Sequence, residues 1–307
     1  MKKVLIATEK PFAKVAVEGI KNILKNAGYE AVTLEKYASA DELYQAAADA
    51  DAMIVRSDKV TKEVVAAAPN LKIVVRAGAG YDNLDLTACS ANGIVAMNTP
   101  GQNSNAVAEL ALGMMVYMAR NSWEPGTGTE LKGKKLGIHA YGNVGKLVAA
   151  LGKGFGMDVY AFDPFVAPEV MQNEGVNPVN DVADLYAGCH YVSLHIPANG
   201  QTKRSIGYDL FSSMPKGGTL INTARKEVID EEGLLKALIE RNDLKYASDV
   251  APDALTKMQE NVGKRIFATP KKMGAETAEA NINAGLAAAQ QIVDFFEKGD
   301  VTFQVNK

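Results

Sequence analysis

Short apolar runs bounded by turn residues alternate along the chain with stretches of helical period. In the first part, residues 3–7, 31–34, 52–55, 73–75 and 95–98 read as strands, and residues 13–27 and 40–48 read as helices. A second series of strands follows at 135–139, 158–162, 191–195, 219–222, 246–249 and 267–268, again with helical stretches between them. This alternation predicts an α/β fold class: two doubly wound parallel-sheet domains with helices on both sheet faces and a cleft between them. The first domain is expected to take residues 1–98 plus 283–307, and the second residues 99–282. Two helices look like connectors. Residues 105–121 are apolar on nearly every side and should be buried, between domains or in a subunit interface. Residues 278–298 are Ala-rich and amphipathic and would return the chain to the first domain, ending in a short segment at 302–305.

Composition narrows the function classes. The 307 residues are 47% hydrophobic and 22% charged, as in an ordinary globular protein with two cores. A net charge of −3 gives the chain as a whole no electrostatic reason to seek nucleic acid or a membrane. Cys89 and Cys189 form no disulfide framework or C-x-x-C zinc site, no metal site is expected, and a cytoplasmic location follows from that cysteine usage. The apolar run after Lys3 stops at Thr8, too soon for a signal peptide.

The strongest local chemistry lies after the strand at 135–139. Ala140-Tyr141-Gly142-Asn143-Val144-Gly145 leads into a helix opening at Lys146, the strand–turn–helix setting of a dinucleotide fingerprint. Gly142 would admit a pyrophosphate to the backbone, and Gly145 would let helix and strand pack closely. The helix N-terminus would face the phosphates. Ala140 stands where the fingerprint has its first glycine. The next strand ends in Asp163, eighteen residues past Gly145, where a carboxylate would accept from the adenosine ribose hydroxyls and repel a 2′-phosphate. The cofactor is therefore expected to be NAD. Asp163-Pro164 is also a common turn opening.

Strand ends in the first domain carry cations. Arg56-Ser57-Asp58-Lys59 follows one strand, Arg76-Ala77-Gly78-Ala79-Gly80 the next, and Thr99-Pro100-Gly101-Gln102-Asn103 another. Ligands of doubly wound sheets bind beyond the carboxyl ends of strands. Arg56, Lys59 and Arg76 would converge on one small anion, with the glycine-rich turn offering N–H groups to a carboxylate. Such a site points to a small-molecule, phosphorylated substrate with more negative charge than a simple carboxylate.

At these residues the chain resembles the D-isomer-specific 2-hydroxyacid dehydrogenases. The resemblance covers the whole chain through RAGAGYDN (76–83), NSNAVAELALG (103–113), VSLHIP (192–197), INTARKEVIDEEGL (221–234) and SDV (248–250). It implies a flavodoxin-like substrate domain, a Rossmann-type NAD domain and a homodimer. It makes Arg225 the arginine that holds the substrate carboxylate and polarises the carbonyl. Arg56, Ser57, Lys59, Arg76, Asn103 and the N–H groups of Ala79 and Gly80 match substrate positions. Tyr141, Gly142, Asn143, Val144, Gly145, Asp163, His195, Pro197, Thr202, Thr223, Ala224, Asp249 and Gly274 match cofactor-side positions, Asp249 near the nicotinamide carboxamide. Longer members add C-terminal regulatory domains. The chain's last residue, Lys307, follows the returning helix, so feedback through such a domain is not expected.

The chain departs from the family at the general acid/base. The family's histidine follows a Thr-Pro pair and is oriented by a glutamate. Here the segment reads Thr269-Pro270-Lys271-Lys272-Met273-Gly274, and the glutamate position reads Ala254, beside Asp253. Counting back from the glycine puts Lys272 in the histidine's place, while counting forward from the proline gives Lys271; Lys272 is preferred. A free lysine titrates near ~10.4, so burial and the Arg225 cation are expected to lower it, and a glutamate partner would oppose that. The three histidines, His139, His190 and His195, lie elsewhere, and His139 is expected to pack rather than catalyse. Two rivals remain: a glyoxylate or hydroxypyruvate reductase of the same family, and a non-catalytic NAD-binding partner protein.

Overall fold

The computed structural model describes all residues from Met1 to Lys307. The chain divides into two compact units, Met1–Asn103 with Glu276–Lys307, and Ser104–Ala275. These breaks fall a few residues from the expected ones. Thr99 is bonded back to Gly78 through its N–H and its hydroxyl. At the other break, Asn281 is tied to Arg56, so the start of the returning helix also belongs to the first unit.

The first unit is a five-stranded sheet of β1 (Lys3–Thr8), β2 (Glu30–Glu35), β3 (Ala52–Val55), β4 (Ile73–Arg76) and β5 (Val95–Asn98). The order is β2-β1-β3-β4-β5 and every pairing is parallel, with Val4 opposite Ala52 and Ile73 opposite Val95. That is the flavodoxin-like order. β1 shows why its sequence is a continuous apolar run. Val4 and Ile6 enter one core with Ile20, Leu24 and Ile292, while Leu5 and Ala7 enter the other with Leu43 and Val64. Both faces are covered, so both faces must be apolar. The helix Ala278–Lys298 starts at a Thr277 cap, whose hydroxyl accepts from Ala280 N–H, and ends at left-handed Gly299. It packs closely on the helix Lys14–Asn26: a Cβ at Gly285 would lie 3.0 Å from Ile20 Cδ1. The expected segment at 302–305 is no full strand; Gln304 makes one antiparallel bridge to Met97.

The second unit has seven parallel strands: β6 (Lys135–His139), β7 (Asp158–Phe162), β8 (Asn177–Pro178), β9 (Tyr191–Leu194), β10 (Thr219–Asn222), β11 (Lys245–Ser248) and β12 (Ile266–Ala268). Their order, β12-β11-β10-β9-β6-β7-β8, is Rossmann-type and reverses between β6 and β9. β8 is not visible in the periodicity because it has two residues, one of them a proline that only an edge tolerates. The helix after β6 runs Asn143–Gly154, so it opens three residues earlier than Lys146. Lys146 N–H already donates to Gly142 O, which makes Gly142 the cap. The apolar helix Ser104–Ala119 buries Ala108, Leu112, Met115 and Met118, while Leu110, Val116 and Tyr117 are only partly covered. No helix is long and apolar enough to cross a membrane.

Candidate active site

In the second unit the dinucleotide loop is built as a cradle. Ala140 has φ 81°, a left-handed value that costs an alanine roughly 1–2 kcal/mol and a glycine almost nothing. A Cβ at Gly142 would meet nothing within 4 Å, so that backbone faces open space. A Cβ at Gly145 would collide with the Ala140 carbonyl oxygen and lie 2.9 Å from Ile138 Cγ2. Gly145→Ala is therefore expected to lift the helix Asn143–Gly154 off β6, at a cost of about 1–3 kcal/mol. A lowered Tm and a weakened NADH fluorescence titration would show it; unchanged values for both would refute the close packing.

The Asp163 carboxylate at the end of β7 holds this loop. Oδ2 accepts from Tyr141 N–H and Oδ1 from Phe165 N–H, each at 2.8 Å. Asp163 is thus both the turn opener and a carboxylate at the loop. The Tyr141 ring is buried and its hydroxyl donates to Oε2 of the exposed Glu174 at 2.7 Å, so its side chain is tied up in the fold. Asn143 and Val144 form the first turn of the helix, whose unpaired N–H groups would suit an anion.

Two orphaned polar atoms sit at the ends of neighbouring strands. His195, just past β9, is half-buried as a residue, but its Nε2 is buried and has no hydrogen-bond partner. Burial, with the neighbouring His139, pushes its pKa down to about 3, so the ring is neutral. The Thr223 hydroxyl, just past β10, is also buried without a partner. Buried polar atoms are normally satisfied, and a bound nicotinamide cofactor would supply the missing partners. With the cradle at Gly142, these residues fit a dinucleotide. His139 packs, as expected: its Nδ1 lies 3.2 Å from the Tyr186 hydroxyl, and burial lowers its pKa to about 4. Pro197 and Thr202 close a turn on each other, Thr202 Oγ1 donating to the Pro197 carbonyl.

The turn that carries Arg225 is set by a residue the sequence reading did not single out. Asn222, fully buried at the end of β10, donates through Nδ2 to Arg225 O at 3.0 Å and accepts from Ala224 N–H at 3.0 Å. Its only sequence signal is an amide side chain closing an apolar strand. Arg225 is half-buried, and its Nη1 donates to Ala224 O at 3.0 Å.

Asp249, 1% exposed at the end of β11, clamps the lysine segment. Oδ1 accepts from Met273 N–H at 2.8 Å and from Thr269 Oγ1 at 3.0 Å, and Oδ2 accepts from Gly274 N–H at 2.8 Å. A Cβ at Gly274 would stand 2.9 Å from Asp249 Oδ2, which explains the glycine. Lys272 therefore lies between two anchored points. It is exposed, as is Lys271, so the burial expected to lower its pKa is not provided by the chain itself. Asp253 does not reach for it either; its carboxylate takes Lys226 Nζ at 2.5 Å. The Ala254 N–H is capped by Glu231 at 2.9 Å.

In the first unit, the turn after β4 is shaped to present N–H groups. Gly78 has φ 144° and lies under the Arg76 guanidinium, where no Cβ fits. Thr99 N–H donates to Gly78 O at 2.9 Å, and Asn98 Nδ2 donates to Ala79 O at 2.6 Å. In a trans peptide the N–H points opposite the C=O. The Ala79 and Gly80 N–H groups are thereby turned away from the end of β5. Asn103 is half-buried immediately before the helix Ser104–Ala119.

Two of the three strand-end cations are engaged by the chain itself. Arg76 Nε donates to Arg56 O at 3.0 Å. The Arg56 guanidinium is committed to acceptors of the chain: Nη1 to Lys10 O and Pro11 O, both at 3.1 Å, and Nη2 to Asn281 Oδ1. Arg56 acts as a pin, and Ser57 and Lys59 are the exposed side chains of that loop.

Residues 93–271 match the family model "D-isomer specific 2-hydroxyacid dehydrogenase, NAD binding domain". A D-3-phosphoglycerate dehydrogenase of Methanocaldococcus jannaschii is 36% identical over 267 residues, 82% of this chain and 51% of that protein. The chain spans about half the length of the curated phosphoglycerate dehydrogenases it matches. A hydroxypyruvate reductase of Thermotoga maritima is 34% identical over 272 residues, 82% of this chain and 87% of that protein. Among solved structures, an NAD+-bound 3-phosphoglycerate dehydrogenase of Entamoeba histolytica superposes with a TM-score of 0.87 at 50% identity, covering 100% of this chain and 99% of that one. With this fold, this loop and these relatives, the chain belongs to the D-isomer-specific 2-hydroxyacid dehydrogenases, and its second unit is that family's NAD-binding domain.

Proposed function

We propose that the protein oxidises D-3-phosphoglycerate to 3-phosphohydroxypyruvate with NAD, the reaction that opens serine biosynthesis, in the cytoplasm and as a homodimer. The observation that carries the substrate assignment is the loop Arg56–Lys59, with Ser57 and Lys59 exposed at a strand end over a fixed frame. An unphosphorylated acid would leave that loop without a ligand. The partly covered side of the helix Ser104–Ala119 supports the dimer, and the unpaired, buried Cys89 and Cys189 suit a reducing compartment.

The reading assigns the substrate phosphate to Ser57 and Lys59, and its carboxylate to the Ala79 and Gly80 N–H groups and Arg225. Lys272 takes the 2-hydroxyl proton, and in reverse its ammonium returns it. NAD supplies the hydride acceptor when bound. Because Lys272 is exposed in the free chain, bound cofactor and substrate must provide the desolvation that brings its pKa toward neutrality. This replaces built-in burial as the tuning device. Asp163 favours NAD over NADP by repelling a 2′-phosphate.

NADH consumption with 3-phosphohydroxypyruvate at catalytic protein concentration tests the activity; none would leave only a cofactor-binding role. A second reading, hydroxypyruvate reduction, is favoured by the Thermotoga maritima relative, whose length this chain covers to 87%.

A further inference from the structure

One buried carboxylate of the first unit lies outside every role assigned above. Asp58 sits in the middle of the loop Arg56–Lys59, yet it is 6% exposed while Ser57 and Lys59 on either side are exposed. An anion so buried needs donors. It has them from three strand-end segments. Glu9 N–H, after β1, donates to Oδ1 at 2.6 Å. The Tyr37 hydroxyl, after β2, donates to the same oxygen at 2.6 Å. Arg56 N–H, after β3, donates to Oδ2 at 3.3 Å. A fourth segment holds the main chain: Asn83 Nδ2 donates to Asp58 O at 2.7 Å and to Arg56 O at 3.3 Å. Burial and the Asp58 charge push the Tyr37 phenol well above its usual pKa, so it remains a donor throughout any practical pH range.

The arrangement has two consequences. The inward turn of Asp58 keeps its negative charge directed away from a phosphate bound outside the loop. It also fixes the segment that displays Ser57 and Lys59 before any ligand arrives, so less ordering is lost on binding. We infer that Asp58, held by Tyr37, is a positioning residue that presets Ser57 and Lys59 for the phosphate of the substrate. This rests on the proposed phosphorylated substrate and extends it to a side chain that does not touch that substrate.

The test compares 3-phosphohydroxypyruvate with hydroxypyruvate in the wild type, Asp58→Asn and Tyr37→Phe. An asparagine presents an NH2 where the carboxylate accepts, so one of the three donors loses its acceptor. The loss of a charge-assisted hydrogen bond predicts that KM for 3-phosphohydroxypyruvate rises about tenfold in Asp58→Asn. Tyr37→Phe keeps the charge and folds more safely, and should raise that KM about threefold. In both, kcat and the KM for hydroxypyruvate should stay within about twofold, a split that loss of folded protein cannot produce. Unchanged KM for the phosphorylated substrate in Tyr37→Phe, or an equal loss with both substrates, overturns the inference. If instead the wild type prefers hydroxypyruvate, the substrate assignment itself has failed, and the inference falls with it.

Discussion

Replacing Lys272 with alanine is expected to lower kcat/KM for 3-phosphohydroxypyruvate by about 10²–10⁴-fold, the range that a positioned general acid/base supplies. The expectation rests on how the segment is held. Asp249 fixes Met273 and Gly274 on one side of Lys272 and Thr269 on the other, so the lysine leaves an anchored backbone rather than a loose loop. At the family's glutamate position stands Ala254, and the neighbouring Asp253 is paired with Lys226. A lysine needs no such partner, because an ammonium has no ring tautomer to select and an adjacent anion would raise its pKa. Lys271→Ala should change turnover little, which separates the two adjacent lysines. Adding a small primary amine should restore part of the Lys272→Ala activity. Near-normal turnover in Lys272→Ala would remove the lysine from the mechanism.

Arg225→Lys is expected to cost about 10²–10³ in kcat/KM, the scale of losing a donor to developing oxyanion charge. The substitution keeps the charge and removes the fork. Arg225 already donates to Ala224 O through Nη1, and its planar head can still present further N–H groups to a carboxylate and a carbonyl together. A lysine ammonium is a single point and cannot reproduce that. The main chain at this position should not move, because Asn222 holds Arg225 O and Ala224 N–H from within the core. Cofactor affinity, followed by NADH fluorescence, should therefore stay close to the wild type while steady-state turnover collapses. A loss confined to KM would mean that Arg225 only binds the ground state.

The elements were legible in the sequence wherever a strand is buried on both faces. β3 is apolar throughout, and β1 carries four consecutive apolar residues, for that reason. The two-residue β8 carries too little pattern to be read, and the helix after β6 opens earlier than expected because Gly142, not a Ser, Thr or Asp, is its cap. The candidate site was legible as residue types at strand ends: Asp163, Arg225, Asp249 and the Arg56–Lys59 loop. What those side chains touch was not. Asp58 meets Tyr37 and Glu9, Arg56 meets Asn281, and Asp249 meets Gly274, all pairings between segments that are distant in sequence. Such partners follow from the sheet order and the paths of the loops, not from any local period. The same limit explains why the bonds of the Arg56 guanidinium to Lys10, Pro11 and Asn281 were not foreseen, and why Lys272 was expected to be buried although it is exposed.

The ratio of kcat/KM for 3-phosphohydroxypyruvate to that for hydroxypyruvate, measured with NADH at one pH, tests the central claim most directly. A site built to take a phosphate predicts a ratio of about 10² or more in favour of the phosphorylated acid. A ratio near or below one would contradict the assignment and make the protein a reductase of unphosphorylated 2-oxo acids.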